Sequence, residues 1–463
     1  MSGIMMQLLG TAGGGDSYWF SLVRTDPDNN NRDNRWSSVD VDSDGNIYVG
    51  GTGGHSSVES SHLYKQGLIA KYDKDGAEQY FRMHKMTNTS PEIDYRGVAV
   101  NSSGELYASI WGHQGGGGAN RFGIVKLNAN GTDSFKIGLG NNDGLGKAVQ
   151  LDSSGNPVFS GRYNRHNEGY KSYAGVIIKT NTSGSMTWQK AIDNGTLNVS
   201  DDAAEDLKVV GDYSYTFGWL GESGGQKESG VIVKFSSSGG VEWSRDIGEG
   251  SSGDSYYMTH GAVDSSGNVY GAGRHNNNIT IVKYNSSGTH QWSKRASSSN
   301  TTGHVQAMDV DEDDNVYILA KSYNDNSTVH TFTILKIDSS GSEVWGREVE
   351  HGYYNHEVWG FGMKVTSTAV FVVGYLKNSS TKEEPLIVKL PLDGSITGTF
   401  GPDQQNSIKI ISAGWSYSNV NLSYTGYTVG VVTPSSFSQQ ASNMTTSIDD
   451  VASSYVENVT EVS

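Results

Sequence analysis

Asp40-Val-Asp42-Ser-Asp44-Gly45 places carboxylates on alternate residues, the spacing with which the first half of a calcium loop converges on one ion. Such a loop needs a bidentate acid eleven residues after Asp40, and that position is Gly51. Asp309, Asp311 and Asp313 give a looser echo, while similar stretches elsewhere carry Ser in place of Asp. An ordinary hairpin turn is therefore expected, with Asp40, Asp42 and Asp44 standing as the calcium candidate and no other metal site. Gly221-Glu-Ser223-Gly-Gly225 matches the G-x-S-x-G of a hydrolase nucleophile elbow. That elbow turns from strand to helix, whereas this segment reads as a Gly-rich loop between strands. There is no H-E-x-x-H and no phosphate-loop lysine, and the carboxylates are too many to single out a glycosidase pair. No catalytic residue and no cofactor are expected.

The elements that must position any site are set by a repeat. Lys71, Lys126, Lys179, Lys234, Lys283, Lys336 and Lys389 recur at intervals of 49 to 55 residues, and each is followed five positions later by glycine. A period of that length points to a radial array of small sheets. Each unit holds two hairpins. The first is clearest in VDVDSDGNIYVGG (39–51) and AVDSSGNVYGAG (262–273), the second in IVKYNSSGTHQW (281–292) and ILKIDSSGSEVW (334–345). Alternating apolar positions around a D/N-x-x-G turn are a hairpin signal, and two hairpins make one four-stranded blade. Four residues after each second glycine stands an aromatic: Tyr80, Phe135, Trp188, Trp243, Trp292 and Trp345. In the seventh unit that position is Gly398, and Gly15-Asp-Ser-Tyr-Trp19 near the start supplies the missing pattern. Residues 16–25 are therefore predicted to be the outer strand of blade seven, closing an all-β, seven-bladed propeller over 16–401. The lysines read as packing elements, their methylenes laid over a ring and the ammonium reaching solvent or a carbonyl.

These hairpins resemble the bacterial propeller repeats often called SBBP repeats, over roughly residues 36–395, with blades four and seven the most divergent. That resemblance implies a β-propeller and little about ligand or activity.

In such meanders the short Gly turns share one end, and the longer second connections share the other with the links between blades. The second connections span 53–67, 112–121, 162–174, 221–229, 274–278, 321–331 and 376–384. They carry His55, His62, Tyr64, His113, Tyr163, Arg165, His166, Tyr170, Tyr173, Arg274, His275, Tyr323 and His330, and the link to blade seven adds His351, Tyr353, Tyr354 and His356. Eight of the twelve histidines thus fall on one predicted face. Irregular loops rich in Tyr, His and Arg on a rigid scaffold suit recognition of glycans or protein loops.

Composition narrows the partners. The chain has 463 residues, a net charge of −16, 60 glycines and no cysteine. The acidity and the lack of a basic stripe argue against nucleic acid. No stretch approaches the length needed to span a membrane, and MSGIMMQLLGTAGGG makes a poor Sec signal, so a soluble, unexported protein is expected. Residues 1–15 read as a docking peptide on a glycine hinge, led by Ile4, Met5, Met6, Leu8 and Leu9. Residues 402–463 read as a small β-rich extension, with short strands within 407–433 and a weak helix near 448–459.

The opening residues, with the Ser/Gly/Asn/Thr-rich style, also resemble virion proteins of tailed bacteriophages that infect marine cyanobacteria. That resemblance implies a non-catalytic tail- or fibre-associated component present in multiple copies, docked to other virion proteins and touching a host-surface glycan or protein. The alternatives are a carbohydrate-binding propeller of lectin type, or a polysaccharide lyase or glycosidase working in the central funnel.

Overall fold

The computed structural model describes residues 4–11, 17–23, 34–53, 65–86, 92–113, 120–139, 144–164, 173–193, 202–221, 228–248, 255–298, 301–323, 329–353, 356–379, 382–401, 407–419, 430–432, 439–440 and 448–450. Among these, strands form seven antiparallel sheets and no helix is present. Blade one runs from axis to rim as Arg35–Val41, Ile47–Gly53, Gln66–Tyr72 and Glu78–Met86. The other inner strands are Glu92–Val100, Gly144–Leu151, Ala203–Val210, Tyr257–Val263, Thr301–Val310 and Val358–Val365, the last packing back on Arg35–Val41. The chain is a seven-bladed β-propeller.

Side-chain chemistry explains the turns. Asp42 Oδ1 accepts the N–H groups of Asp44 (3.0 Å) and Asn46 (2.9 Å), while Oδ2 takes Asn46 Nδ2 and the Tyr48 hydroxyl. Asp152, Asp264 and Asp311 organise their turns in the same way. Asp40 instead turns to both neighbouring blades, accepting the Val100 N–H of blade two and pairing with Lys364 of blade seven. The calcium candidate is thus corrected: Asp40 and Asp42 are committed to different partners and do not converge on a common point. Among the described residues no group of three acidic or histidine side chains could hold a metal.

The recurring lysine does what its spacing suggested. Its Nζ donates to a carbonyl in the outer turn of the following blade: Lys126 to Thr182, Lys179 to Ser237, Lys234 to Ser286, Lys283 to Ser339 and Lys336 to Leu392. Trp188, Trp243, Trp292 and Trp345 donate their indole N–H to the last four of those carbonyls. The glycine of that turn lies on the ring: a Cβ on Gly239, where φ is +80°, would stand 2.8 Å from Trp188.

Closure follows the prediction. Ser17–Val23 is the fourth strand of blade seven, with Trp19 opposite Lys389, as Trp345 is opposite Lys336. Lys389 Nζ then reaches the Lys74 carbonyl in blade one at 3.5 Å. The opening expected as a docking peptide on a hinge is, over its described residues, a strand. Ile4–Thr11, which contains Ile4, Met5, Met6, Leu8 and Leu9, pairs with Ser17–Val23 as a fifth strand of blade seven.

The C-terminal extension likewise lies on the ring. Gly398–Phe400 pairs with Ile408–Ser412, which adds to the rim of blade six; Ser416–Asn419 adds to blade five, Gly430–Val432 to three, Gln439–Gln440 to two and Ile448–Asp450 to one. The tail passes around the rim against the blade order, satisfying edge groups that would otherwise invite association. The helix expected from 448 is replaced at its start by this strand, because an edge carrying unpaired N–H and C=O groups outweighs a weak local propensity.

Two outcomes are expected. A chain ending at residue 401 should keep its circular dichroism but melt several degrees lower and self-associate, read by thermal unfolding and light scattering. Burial opposes ionisation of Asp311, but Lys336 and Asn315 outweigh it and hold its carboxyl below the usual range. A lowered folded-state value stabilises above the unfolded carboxylate pKa and is lost as pH falls through the folded value. Asp311→Asn should therefore cost about 1–3 kcal/mol at pH 7, with the gap to the parent narrowing below about pH 4 in urea unfolding.

Candidate functional site at the channel mouth

All seven inner strands carry a register shift within their first six residues, counted from the long-loop face. An extra residue on one strand of a pair re-aims its side chain. The re-aimed residues are Ser37, Arg96, Lys147, Glu205, Gln306 and Phe361, with His260 entering from blade five, and all line a central cavity of about 340 Å³. Beside the bulge the backbones come very close: a Cβ on Gly218 would sit 1.8 Å from the Ala203 carbonyl, and one on Gly374 1.7 Å from that of Trp359.

At the same level the second strand of each blade carries one register-equivalent residue, buried in blades one and seven. From blades two to seven these are Trp111, Arg162, Trp219, Arg274, Lys321 and Tyr375, with Thr52 in blade one. Aromatic rings and cations thus share one rim. The Arg96 guanidinium lies 4.9 Å from the Trp111 ring, Arg162 lies 5.1 Å from Tyr173, and Lys321 lies 4.2 Å from Trp359. Trp219 meets Tyr257 edge-on, and Trp359, Phe361 and Tyr375 form a stacked group capped by Arg35 over Phe361.

The channel charges pair mostly between blades. Asp94 takes Arg35 at 2.9 Å and Arg96 at 3.3 Å, Lys147 meets Glu205 at 2.5 Å, and Lys208 lies 3.5 Å from Asp206. Asp206 also accepts the Gly261 N–H, and Lys364 bridges Asp40 and Asp309. Burial would raise Asp94, but Arg35 and Arg96 outweigh it and hold its carboxyl below the usual range. Burial, Arg96 and Arg162 press the Lys147 ammonium down against the pull of Glu205. Burial would raise Glu205, yet Lys147 and Arg162 bring it down. Burial lowers His260 despite Asp206.

The loop residues singled out from sequence divide. Tyr323 and His330 join the mouth: their rings are 4.7 Å apart, and His330 lies 4.5 Å from Trp359. Arg274 bonds His304 and Asn277, and Tyr173 lies under Arg162. Tyr353 and His356 form a separate group with buried His351, nearer the rim. Two expectations are corrected. Tyr163 is fully buried in the apolar packing of blade three, and His275 is buried and stacked on Tyr256 with Arg295 on its ring nitrogen. Both are structural, because the strands run further toward the loop face than the hairpin pattern implied. His113 ends the second strand of blade two. His55, His62, Tyr64, Arg165, His166, Tyr170 and Tyr354 lie outside the described residues.

Apart from Arg274, the second-strand ring was missed, although a signal existed. Each of its residues stands four positions after the second-strand residue Tyr48, Tyr107, Val158, Tyr215, Tyr270, Tyr317 or Phe371.

No family model and no curated protein matches the chain. Solved structures similar to it include the β-propeller domain of the Trilobed protease from Pyrococcus furiosus, with 10% identity, 76% of this chain and 93% of that one covered and a TM-score of 0.37. Another is a protein of unknown function from Dyadobacter fermentans, with 8% identity, 78% and 96% covered and a TM-score of 0.41. A third is a protein of unknown function from Bacteroides caccae, with 14% identity, 60% and 89% covered and a TM-score of 0.37. At such distances the ground for the fold is the strand order itself.

Burial and the neighbouring Lys321 hold His330 below its ordinary value of 6.5. A protonated imidazole quenches a touching indole, so the Trp359 contribution to fluorescence, obtained by difference from Trp359→Phe, should fall with a midpoint below pH 6.5. A midpoint at or above that value would contradict the arrangement.

Proposed function

We propose that this chain is a non-catalytic recognition protein that holds a saccharide at the long-loop mouth of its channel. The observation carrying this reading is the run of Trp111, Arg162, Trp219, Arg274, Lys321 and Tyr375 at one equivalent position on six consecutive blades. The apolar C–H face of a sugar ring lies on an aromatic face, while its hydroxyls take hydrogen bonds from planar cations. The channel carboxylates Asp94, Glu205 and Asp206 each hold a cation or a backbone N–H, which supports a binding role over acid–base work.

The setting proposed is the particle of a tailed bacteriophage, in several copies, with the mouth turned to a host-surface glycan and the rest of the chain held by other virion proteins. Its support is the resemblance of the opening residues. Docking through Ile4–Thr11 would use the outer edge of that strand, since its inner edge is occupied by Ser17–Val23.

On a glycan array the protein should retain a restricted set of saccharides without releasing products, and Trp219→Ala should weaken retention about tenfold, the loss of one stacking contact. Product release, or retention unchanged by Trp219→Ala, would overturn the reading. For the setting, a labelled antibody to the chain should decorate intact particles in electron micrographs.

A further inference from the structure

We infer that the saccharide is uncharged and enters the channel by one end, its terminal unit seated in the cavity against Asp206 and His260. The inference rests on the saccharide reading above and names the class of sugar and the part of it that is read.

The cavity owes its width to one layer of the channel. In each of the seven blades the first inner-strand residue paired beyond the register shift lines it. Five of these are small: Ser38, Gly97, Ala148, Ala307 and Gly362. They lie where neighbouring inner strands press together: a Cβ on Gly97 would stand 2.8 Å from the Ala148 Cα, and one on Gly362 3.0 Å from that of Ser38. The other two are Asp206 and His260, on adjacent blades four and five. Two residues further along the strands the layer is bulkier, with Asp40, Gln150, Lys208, Asp309 and Lys364. A sugar chain coming from the mouth thus finds a hollow of about 340 Å³ above a layer of long side chains. Ligand pockets begin at about 300 Å³, so this one suits a terminal unit rather than a chain passing through.

The charges of these layers balance. Five cations, Arg35, Arg96, Lys147, Lys208 and Lys364, stand with five carboxylates, Asp40, Asp94, Glu205, Asp206 and Asp309, and each lies within 4.0 Å of an opposite charge. Burial holds His260 below its ordinary 6.5, so it adds no charge at neutral pH. A charged ligand group would have to break one of these pairs or stay unneutralised. A hydroxyl donates and accepts at once, so it joins paired ions without separating them. Asp206 has room for one. Of the roughly four lone-pair positions of a carboxylate, the Leu207 N–H, the Gly261 N–H and Lys208 take three. His260 Nδ1 meets the Thr259 hydroxyl at 3.1 Å, and among the described residues its Nε2 has no partner.

The test is titration calorimetry of the full chain with neutral gluco-, galacto- and manno-oligosaccharides of two to six residues. Each is used free, O-methylated on its non-reducing terminal unit, or reduced to the alditol at its other end, with an oligouronate and its carboxyl-reduced form as the charged and neutral pair. Modifying one end should weaken binding about tenfold, and modifying the other should change nothing. The oligouronate should bind no more tightly than its reduced form. His260→Ala opens room beside the modified end and should erase most of the tenfold difference, whereas Trp219→Ala should weaken free and modified sugars alike. Near-ultraviolet circular dichroism checks that each variant keeps its packing. Binding indifferent to both modifications, a difference that survives His260→Ala, or tighter binding of the oligouronate would overturn this inference and leave the saccharide reading standing. No binding of any probe would overturn both.

Discussion

The ring depends on one repeated grip: an outer-strand aromatic and a third-strand lysine hold the outer turn of the next blade. Trp345 and Lys336 both donate to the Leu392 carbonyl, and Gly394 lies on the Trp345 ring. The lysine is itself fixed by the first hairpin of its own blade, Lys179 against Asp152 at 2.7 Å and Lys336 against Asp311 at 3.0 Å. Each blade is thereby incomplete without its neighbour, so the seven sheets form one cooperative body. The same logic explains why the chain's beginning is spent in blade seven. Without Trp19 beside Lys389, the last grip would have no ring.

Locking one end leaves the other free to vary. The short-turn face repeats the same chemistry from blade to blade, because every turn must fit the aromatic before it. At the long-loop face the corresponding positions range from Thr52 to Trp111 to Arg162. The inner-strand bulge joins the two regimes. It adds one residue after the core pattern is set, so charged side chains reach the channel while their neighbours stay in the apolar layers between blades. Those charges are costly to dehydrate, which accounts for their pairing across blades.

The rim solves a separate problem. Outer strands of an open-edged blade present unpaired backbone groups, and small glycine-rich blades have few charged side chains to guard them. Among the described residues the tail and the first strand cover every such edge but that of blade four, and Ile408 and Ile410 also bury their side chains there. Their backbone pairing demands no particular sequence, and only Ile408–Ser412 shows an alternating apolar pattern with buried side chains.

Periodicity determined the blade number, the meander and the latch at Trp19, because a packing contact repeated seven times leaves seven copies of the same residues. The strand-rich extension was legible too, from short apolar runs, although its path around the rim was not: pairing through backbone groups writes nothing into side-chain order. The candidate site was legible only at Tyr323, His330, Arg274 and Tyr173. A hairpin pattern does not show where a strand ends, so Tyr163 and His275 looked like loop residues while burying their rings. The channel ring was decided by tertiary structure alone. A bulge shifts the alternation of facing by one residue, and which side chains then meet across blades depends on the closed circle, which brings Arg35 to Asp94 and Lys364 to Asp40 across the breaks between repeats.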